Sequence, residues 1–182
     1  MKKTIWLYGI IAGSILALGI FLTAIYNEHI DFDKSMYFGY AMMLLAFSLT
    51  FVGVKNYRDK YNDGIISFGK AFRIGLFITL IASSMYVIAW LIDYYIFIPD
   101  FADKYAAHML EKLKAQGASA AEISRQAAAM ESFKTMYKNP FFNVLLTYSE
   151  VIPVGLVLSL ICALVLRRKT KNQFSVQSGL IK

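Results

Sequence analysis

Four long apolar runs, residues 5–26, 36–54, 74–98 and 141–166, contain only two charged residues between them, Asp93 and Glu150. At a rise of about 1.5 Å per residue, roughly 20 residues cross the hydrocarbon of a bilayer, so every run is long enough to span. A backbone in lipid must satisfy its own hydrogen bonds, and a barrel would alternate polar with apolar residues, which leaves α-helices. The chain therefore predicts an all-α membrane protein with four transmembrane helices in one domain over residues 1–170, an insert at 99–140 and a flexible tail at 171–182.

Composition supports this. Hydrophobic residues make up 58% and charged residues 17%, against about 45–50% and about 25% in ordinary soluble domains. Met1-Lys2-Lys3 before the first run also fits a secretory signal. A signal core, however, has about 7–15 apolar residues and ends at a small-x-small site. This run continues to Tyr26, with Ala17-Leu18-Gly19 inside it, so a retained membrane helix is expected.

The net charge of +7 is sorted by loop rather than gathered on one soluble face, which argues against a nucleic-acid partner. Twelve of the nineteen Lys and Arg lie before the first run, between Lys55 and Arg73, or after the last run, whereas the acidic residues concentrate in the first and third loops. By the positive-inside rule both termini and the second loop are cytoplasmic (N-in, C-in), and the location is the bacterial inner membrane. Trp6, Tyr8, Tyr57 and Tyr61 fall near the inner interface. Tyr26, Tyr37, Tyr40, Trp90, Tyr94, Tyr95, Phe141 and Phe142 fall near the outer one, as interfacial belts do.

Residues 63–73 carry Ile65, Phe68 and Phe72 at helical spacing and read as an interfacial turn or two leading into the third span, with Lys70 and Arg73 snorkelling to the headgroups. Arg167, Arg168 and Lys169 anchor the end of the fourth span in the same way. The loop at 99–140 is too long for simple coil. Its first half predicts a helix to Gln116 with Phe101, Tyr105 and Met109 on one stripe and Gly117 as its stop. Ser119-Ala-Ala-Glu122 fits a capping box opening a second helix, with Ile123, Ala127, Met130 and Tyr137 along one face. Asn139-Pro140 suits the cap and first turn of the last span. The expectation is an external amphipathic helical hairpin lying on, or leaning over, the outer membrane surface.

An ionisable group in lipid costs several kcal/mol unless neutral or paired, and is a functional hypothesis by default. On ideal helices Asp93 lies about 9 Å and Glu150 about 14 Å from the outer end, so the two could share a site. No Lys or Arg lies in any run. The options are protonation, hydrogen bonds from Tyr86, Tyr94, Tyr148, Ser83 or Ser149, a bound cation, or a partner protein. For Asp93 a tilted helix reaching the interface is the simpler reading; for Glu150, structural hydrogen bonding is slightly favoured over a ligand site. Pro153 predicts a kink beside Glu150, by clashing with the Ser149 carbonyl. The candidate intramembrane polar site is therefore Asp93, Glu150, Tyr148, Ser149 and Pro153.

Gly9, Gly13 and Ala17, and likewise Gly155, Ser159 and Ala163, form small-xxx-small ladders that permit close helix packing, within one bundle or between copies of the chain. Cys162 reads as a small packing residue. His29 and His108 are too isolated for a metal site. The chain has no phosphate-binding glycine loop, no nucleophile elbow and no Cys pair, so neither a cofactor nor an enzymatic activity is expected.

At Ile66-Ser-Phe-Gly-Lys-Ala-Phe-Arg-Ile-Gly75 and at Gly155-Leu-Val-Leu-Ser-Leu-Ile-Cys-Ala-Leu-Val-Leu-Arg-Arg-Lys169 the chain resembles the bacterial domain of unknown function 4199 family of the Bacteroidota, over about residues 4–170. The resemblance implies a four-span inner-membrane protein with both ends inside, and no assigned catalytic or binding residues. It also implies a neighbourhood of polyprenyl-phosphate glycosyltransferases, hence an envelope or lipid-linked process. The functional expectation is an accessory or scaffold subunit. The alternative is a small transporter or ion-coupled protein using Glu150 and Asp93, distinguished by whether a polar cavity reaches Glu150 or neighbours cap it in a dry bundle.

Overall fold

The computed structural model describes residues 1–26 and 32–168, and these are helical with short connections. Helices α1 (Lys2–Tyr26), α2 (Phe32–Tyr61), α3 (Phe68–Ile92) and α6 (Pro140–Leu166) form a bundle. Helices α4 (Phe101–Ala115) and α5 (Ala120–Tyr137) pair as a hairpin between α3 and α6. Four segments are long and apolar enough to cross a membrane: α1, α2, α6, and α3 with the turn that follows it. Successive spans reverse direction, so Phe21 near the end of α1 meets Phe97 beyond α3, with ring centroids 6.3 Å apart. That end of the bundle carries the hairpin; the opposite end carries Arg58, Lys60, Arg167 and Arg168.

α3 is central and packs against α1, α2 and α6. Along it run three apolar clusters: one around Ile5, Val54, Ile74 and Leu166, one around Leu16, Phe47, Ala82 and Val151, and one of Tyr94, Ala102 and Tyr137 under the hairpin. The small-residue ladders sit at these crossings. A Cβ on Gly9 would come within 2.9 Å of Ile81, and one on Gly13 would strike Met85, so the α1 ladder lies flush on α3. Ala17 is only half-buried and contributes less. On α6, a Cβ on Gly155 would collide with the Thr79 methyl, the Ser159 hydroxyl lies 3.1 Å from that of Thr79, and Ala163 is fully buried. Cys162 is buried beside them, its Sγ 3.8 Å from the Thr50 carbonyl.

The basic end departs from a simple interfacial turn. Asp63 and Gly64 take positive φ (50° and 73°), a turn that sends Ile65 and Ile66 along the end of α6. Ile66 then exchanges two backbone hydrogen bonds with Arg168, of 3.3 and 2.9 Å. Ser67 caps α3, so the helix starts at Phe68. α2 outruns its apolar stretch by a further two turns because Arg58, 8% exposed, donates to the Leu166 carbonyl and pairs with Asp59 at 2.6 Å. An orphan carbonyl at the end of α6 thereby gains a partner. Lys70 does not snorkel freely. Its ammonium donates to Asn62 Oδ1 at 2.9 Å and lies over the buried Tyr57 ring. The Arg73, Arg167 and Arg168 side chains are exposed; Lys169, His29 and the tail lie outside the described residues, as does the Tyr26 side chain.

In the hairpin, Gly117 (φ 78°) ends α4 and the Ser119–Glu122 capping box opens α5. Two hydrogen bonds from Ser119 hold the Glu122 carboxyl below its usual range. Lys134 joins the two helices by pairing with Asp103 at 3.1 Å while also holding Glu131. Asn139 accepts from the Phe141 N–H at 2.9 Å, with Pro140 in the first turn of α6. The α4 stripe of Phe101 and Tyr105 faces the bundle, where both rings meet Phe32 at the start of α2.

Candidate functional site

The α3 helix does not simply stop at Pro99. Proline has no N–H to continue the ladder, and the last donor before it, Ile98, reaches back five residues to the Asp93 carbonyl at 3.0 Å. The result is a π-helical turn, Asp93–Phe97. Such turns are rare and concentrate at functional sites. Asp93 opens this one, and it is buried, with 1% of its surface exposed, rather than lifted to an interface. The hairpin causes this: Tyr94 and Tyr137 close over that end of α3 with ring centroids 5.2 Å apart. Asp93 Oδ1 has no hydrogen-bond partner among the described residues.

Beside Asp93 lies a cavity of about 600 Å³, walled by the hairpin halves of all four spans and roofed by α4 and α5. α1 contributes Leu16, Gly19, Ile20 and Thr23; α3 contributes Tyr86, Trp90 and Asp93; α6 contributes Leu146, Thr147 and Glu150. The roof supplies Phe101, Tyr105, His108, Met109, Lys112, Phe133 and Tyr137. Met36, Met42 and Met43 of α2 join Met109 in the lining. Met36, Tyr40 and Glu150 line the cavity yet are exposed, so it communicates with the protein surface.

Asp93 and Glu150 therefore both line one cavity, while the rest of the expected polar site does not. The Tyr148 hydroxyl donates to Ser84 at 2.9 Å, and Ser149 donates to the Leu146 carbonyl. Ser149 and Pro153 are exposed away from the lining, and α6 continues as helix through Pro153. A π-helical irregularity beside a carboxylate lies at the end of α3, at Asp93. None of the hydroxyls expected to cap the two acids does so: Glu150 makes no hydrogen bond or ion pair with a described residue, and Ser83 Oγ, though buried, is itself without a partner.

The charge at the roof is balanced differently. Asp33 on α2 accepts from Lys112 at 2.7 Å, which raises the lysine's pKa, and His108 lies 3.9 Å from the same carboxylate. Asp93 and Glu150 have no such counter-ion among the described residues.

Trp90 and Tyr94, which the sequence places in an outer belt, are structural here. Tyr94 is 3% exposed, and the Trp90 indole N–H donates to the Tyr137 hydroxyl at 3.0 Å and to Asn143 Oδ1 at 3.2 Å. Burial pushes the Tyr137 phenol above its ordinary range. Asn143 also receives a bond from Thr147, 2.8 Å to its carbonyl, and leaves its own Nδ2 unpartnered. Sequence reasoning passed over Asn143. A signal was present, since it is the only amide side chain in the four apolar runs.

The family model for "Protein of unknown function (DUF4199)" matches residues 7–168, which includes every wall of the cavity. The chain belongs to the DUF4199 family. No curated protein and no solved structure matches it. In this DUF4199 protein the cavity is lined by two acidic residues without counter-ions among the described residues, set among aromatic and thioether side chains.

Proposed function

We propose that this protein is a multi-pass protein of the bacterial inner membrane, with both termini cytoplasmic and the α4–α5 hairpin outside. In this reading it binds a ligand or coupling ion in the cavity under the hairpin through Asp93 and Glu150, as a small ion-coupled transporter does. One observation carries it: Asp93 and Glu150 both line the cavity, and neither the exposed Glu150 nor the buried Asp93 Oδ1 is capped by a described neighbour. A scaffold with no ligand gains nothing from two unpaired acids set in apolar helices, where an ionisable group is costly. Pockets that bind small molecules are largely apolar, with a few convergent polar groups, in the size range of about 300–1,000 Å³.

The test is native mass spectrometry of the full chain released from mild detergent. The wild type carries a bound small molecule, and Asp93→Asn and Glu150→Gln lose it while accumulating and melting like wild type. Retention of the same molecule by both variants removes the carboxylates from the function. An empty cavity, with a polyprenyl-phosphate glycosyltransferase co-purifying equally with wild type and both variants, replaces this reading with the accessory-subunit one.

A further inference from the structure

Resting on that reading, the cavity also identifies the class of ligand. We infer that it takes a lipophilic organic cation, held by Asp93 and Glu150 and by the aromatic rings around them.

Charge is the first argument. The acids at the roof and in the spans are not equivalent: Asp33 is already neutralised by Lys112 at 2.7 Å, whereas Asp93 and Glu150 form no ion pair with a described residue. A ligand entering between them meets uncompensated negative potential in a low-dielectric wall, where a charge interaction is far stronger than in water. An anionic or phosphate-bearing ligand would have to share Lys112 with Asp33 and then lie against two carboxylates.

The walls supply the second argument. Tyr86 and Trp90 stand on the same helix as Asp93, at intervals of seven and three residues, so the aromatic faces and the acid lie along one side of the cavity. Aromatic faces attract cations electrostatically, tryptophan most strongly, and the attraction grows when water is excluded. A small hydrated metal ion would leave most of the roughly 600 Å³ unfilled, and it would lack the several oxygen ligands that hard cations require. A cation that carries its own apolar surface satisfies both the acids and the rings. The methionines contributed by α2 and α4 are flexible and polarisable, which suits a site that adapts to differently shaped members of one class.

Asp93 supplies the third observation: it lines the cavity, and its buried Oδ1 accepts no hydrogen bond from a described residue. Orphaned buried polar atoms are few in folded proteins, and a bound partner is one of their standard explanations.

The experiment uses the full chain in nanodiscs of zwitterionic lipid, with empty nanodiscs subtracted, and two probes of matched shape and opposite charge: tetraphenylphosphonium and tetraphenylborate. Equilibrium dialysis should show saturable binding of tetraphenylphosphonium, at least about tenfold tighter than tetraphenylborate, and about tenfold weaker in Glu150→Gln and in Asp93→Asn. If Asp93→Asn fails to accumulate, Glu150→Gln decides the matter, because its side chain is exposed to the cavity rather than packed in the core. Preferential binding of tetraphenylborate overturns the cation assignment and leaves the ligand-binding reading standing. So does the absence of binding by either probe when native mass spectrometry still finds a molecule lost in both variants. Equal binding of both probes, unchanged by either substitution, is partition into apolar walls and overturns both.

Discussion

The Trp90 indole N–H donates to the Tyr137 hydroxyl at 3.0 Å, joining the last turns of α3 to the last turn of the hairpin. The two residues are 47 positions apart and lie in the layer that roofs the cavity. Tyr137→Phe removes this acceptor but leaves Trp90 its second, Asn143 Oδ1 at 3.2 Å, so the expected loss is about 1 kcal/mol. Trp90→Ala removes the ring as well and should cost about 3 kcal/mol or more. Thermal melting in detergent checks the order, and equal losses would show that the hydrogen bond, not the ring, carries the contact.

The glycines of the spans are not equivalent. A Cβ at Gly155 would run into Thr79 and come within 3.0 Å of Phe47, whereas one at Gly39 meets nothing within 4 Å. Gly155→Ala should therefore destabilise the bundle by about 1–3 kcal/mol through overpacking. Gly39→Ala should be neutral or stabilising by up to about 1 kcal/mol, since alanine is the better helix former. Melting temperatures of the two variants, compared in one detergent, test the α3–α6 contact.

The proposed orientation predicts a labelling pattern. Gln116, at the hairpin tip, and Lys60, at the basic end of α2, are both exposed. A cysteine at Gln116 should react with an impermeant thiol reagent added to intact spheroplasts, and a cysteine at Lys60 should react only after lysis. The native Cys162 is buried and should stay silent. Labelling of the Lys60 position alone would invert the topology.

The capping box gives a pH dependence of known sign. Hydrogen bonds from the Ser119 hydroxyl and N–H lower the Glu122 pKa in the folded hairpin. The stabilisation is thus fully present above the unfolded glutamate value of about 4.3 and is lost as the pH falls through the lower folded value. A spin label at the exposed Ala121 should keep constant mobility from about pH 7 to 5 and loosen only in stronger acid. In Glu122→Gln the acid transition should disappear. An acid transition of unchanged size in that variant would place its origin elsewhere in the hairpin.

Much of the hairpin was legible because its signals are local. Ser119 and Glu122 need only three residues of helix to find each other, Gly117 needs only its own missing Cβ, and Asn139-Pro140 opens α6 with groups adjacent in the chain. Glu150 and Asp93 stood out because charge in an apolar run is visible without a fold. Tyr148 and Ser149 were drawn in by sequence proximity to Glu150, yet a helix turns such neighbours onto different faces, and the structure leaves both outside the cavity, with Pro153.

By itself, the sequence determined four apolar helices, their sorted flanking charge and the caps of the hairpin, since length, charge and capping act over a few residues and depend on no distant partner. Only the tertiary structure decided which face of each span turns inward. Exposed residues such as Leu44, Leu164 and Val165 are as apolar as the buried Leu16 and Ile78, so no amphipathic stripe marks the core side. The burial of Asp93 was decided there too. A π turn ends α3 just before Pro99, the hairpin folds back over it, and Trp90, Tyr94 and Tyr137 close a roof whose members meet only when α3, α5 and α6 pack together.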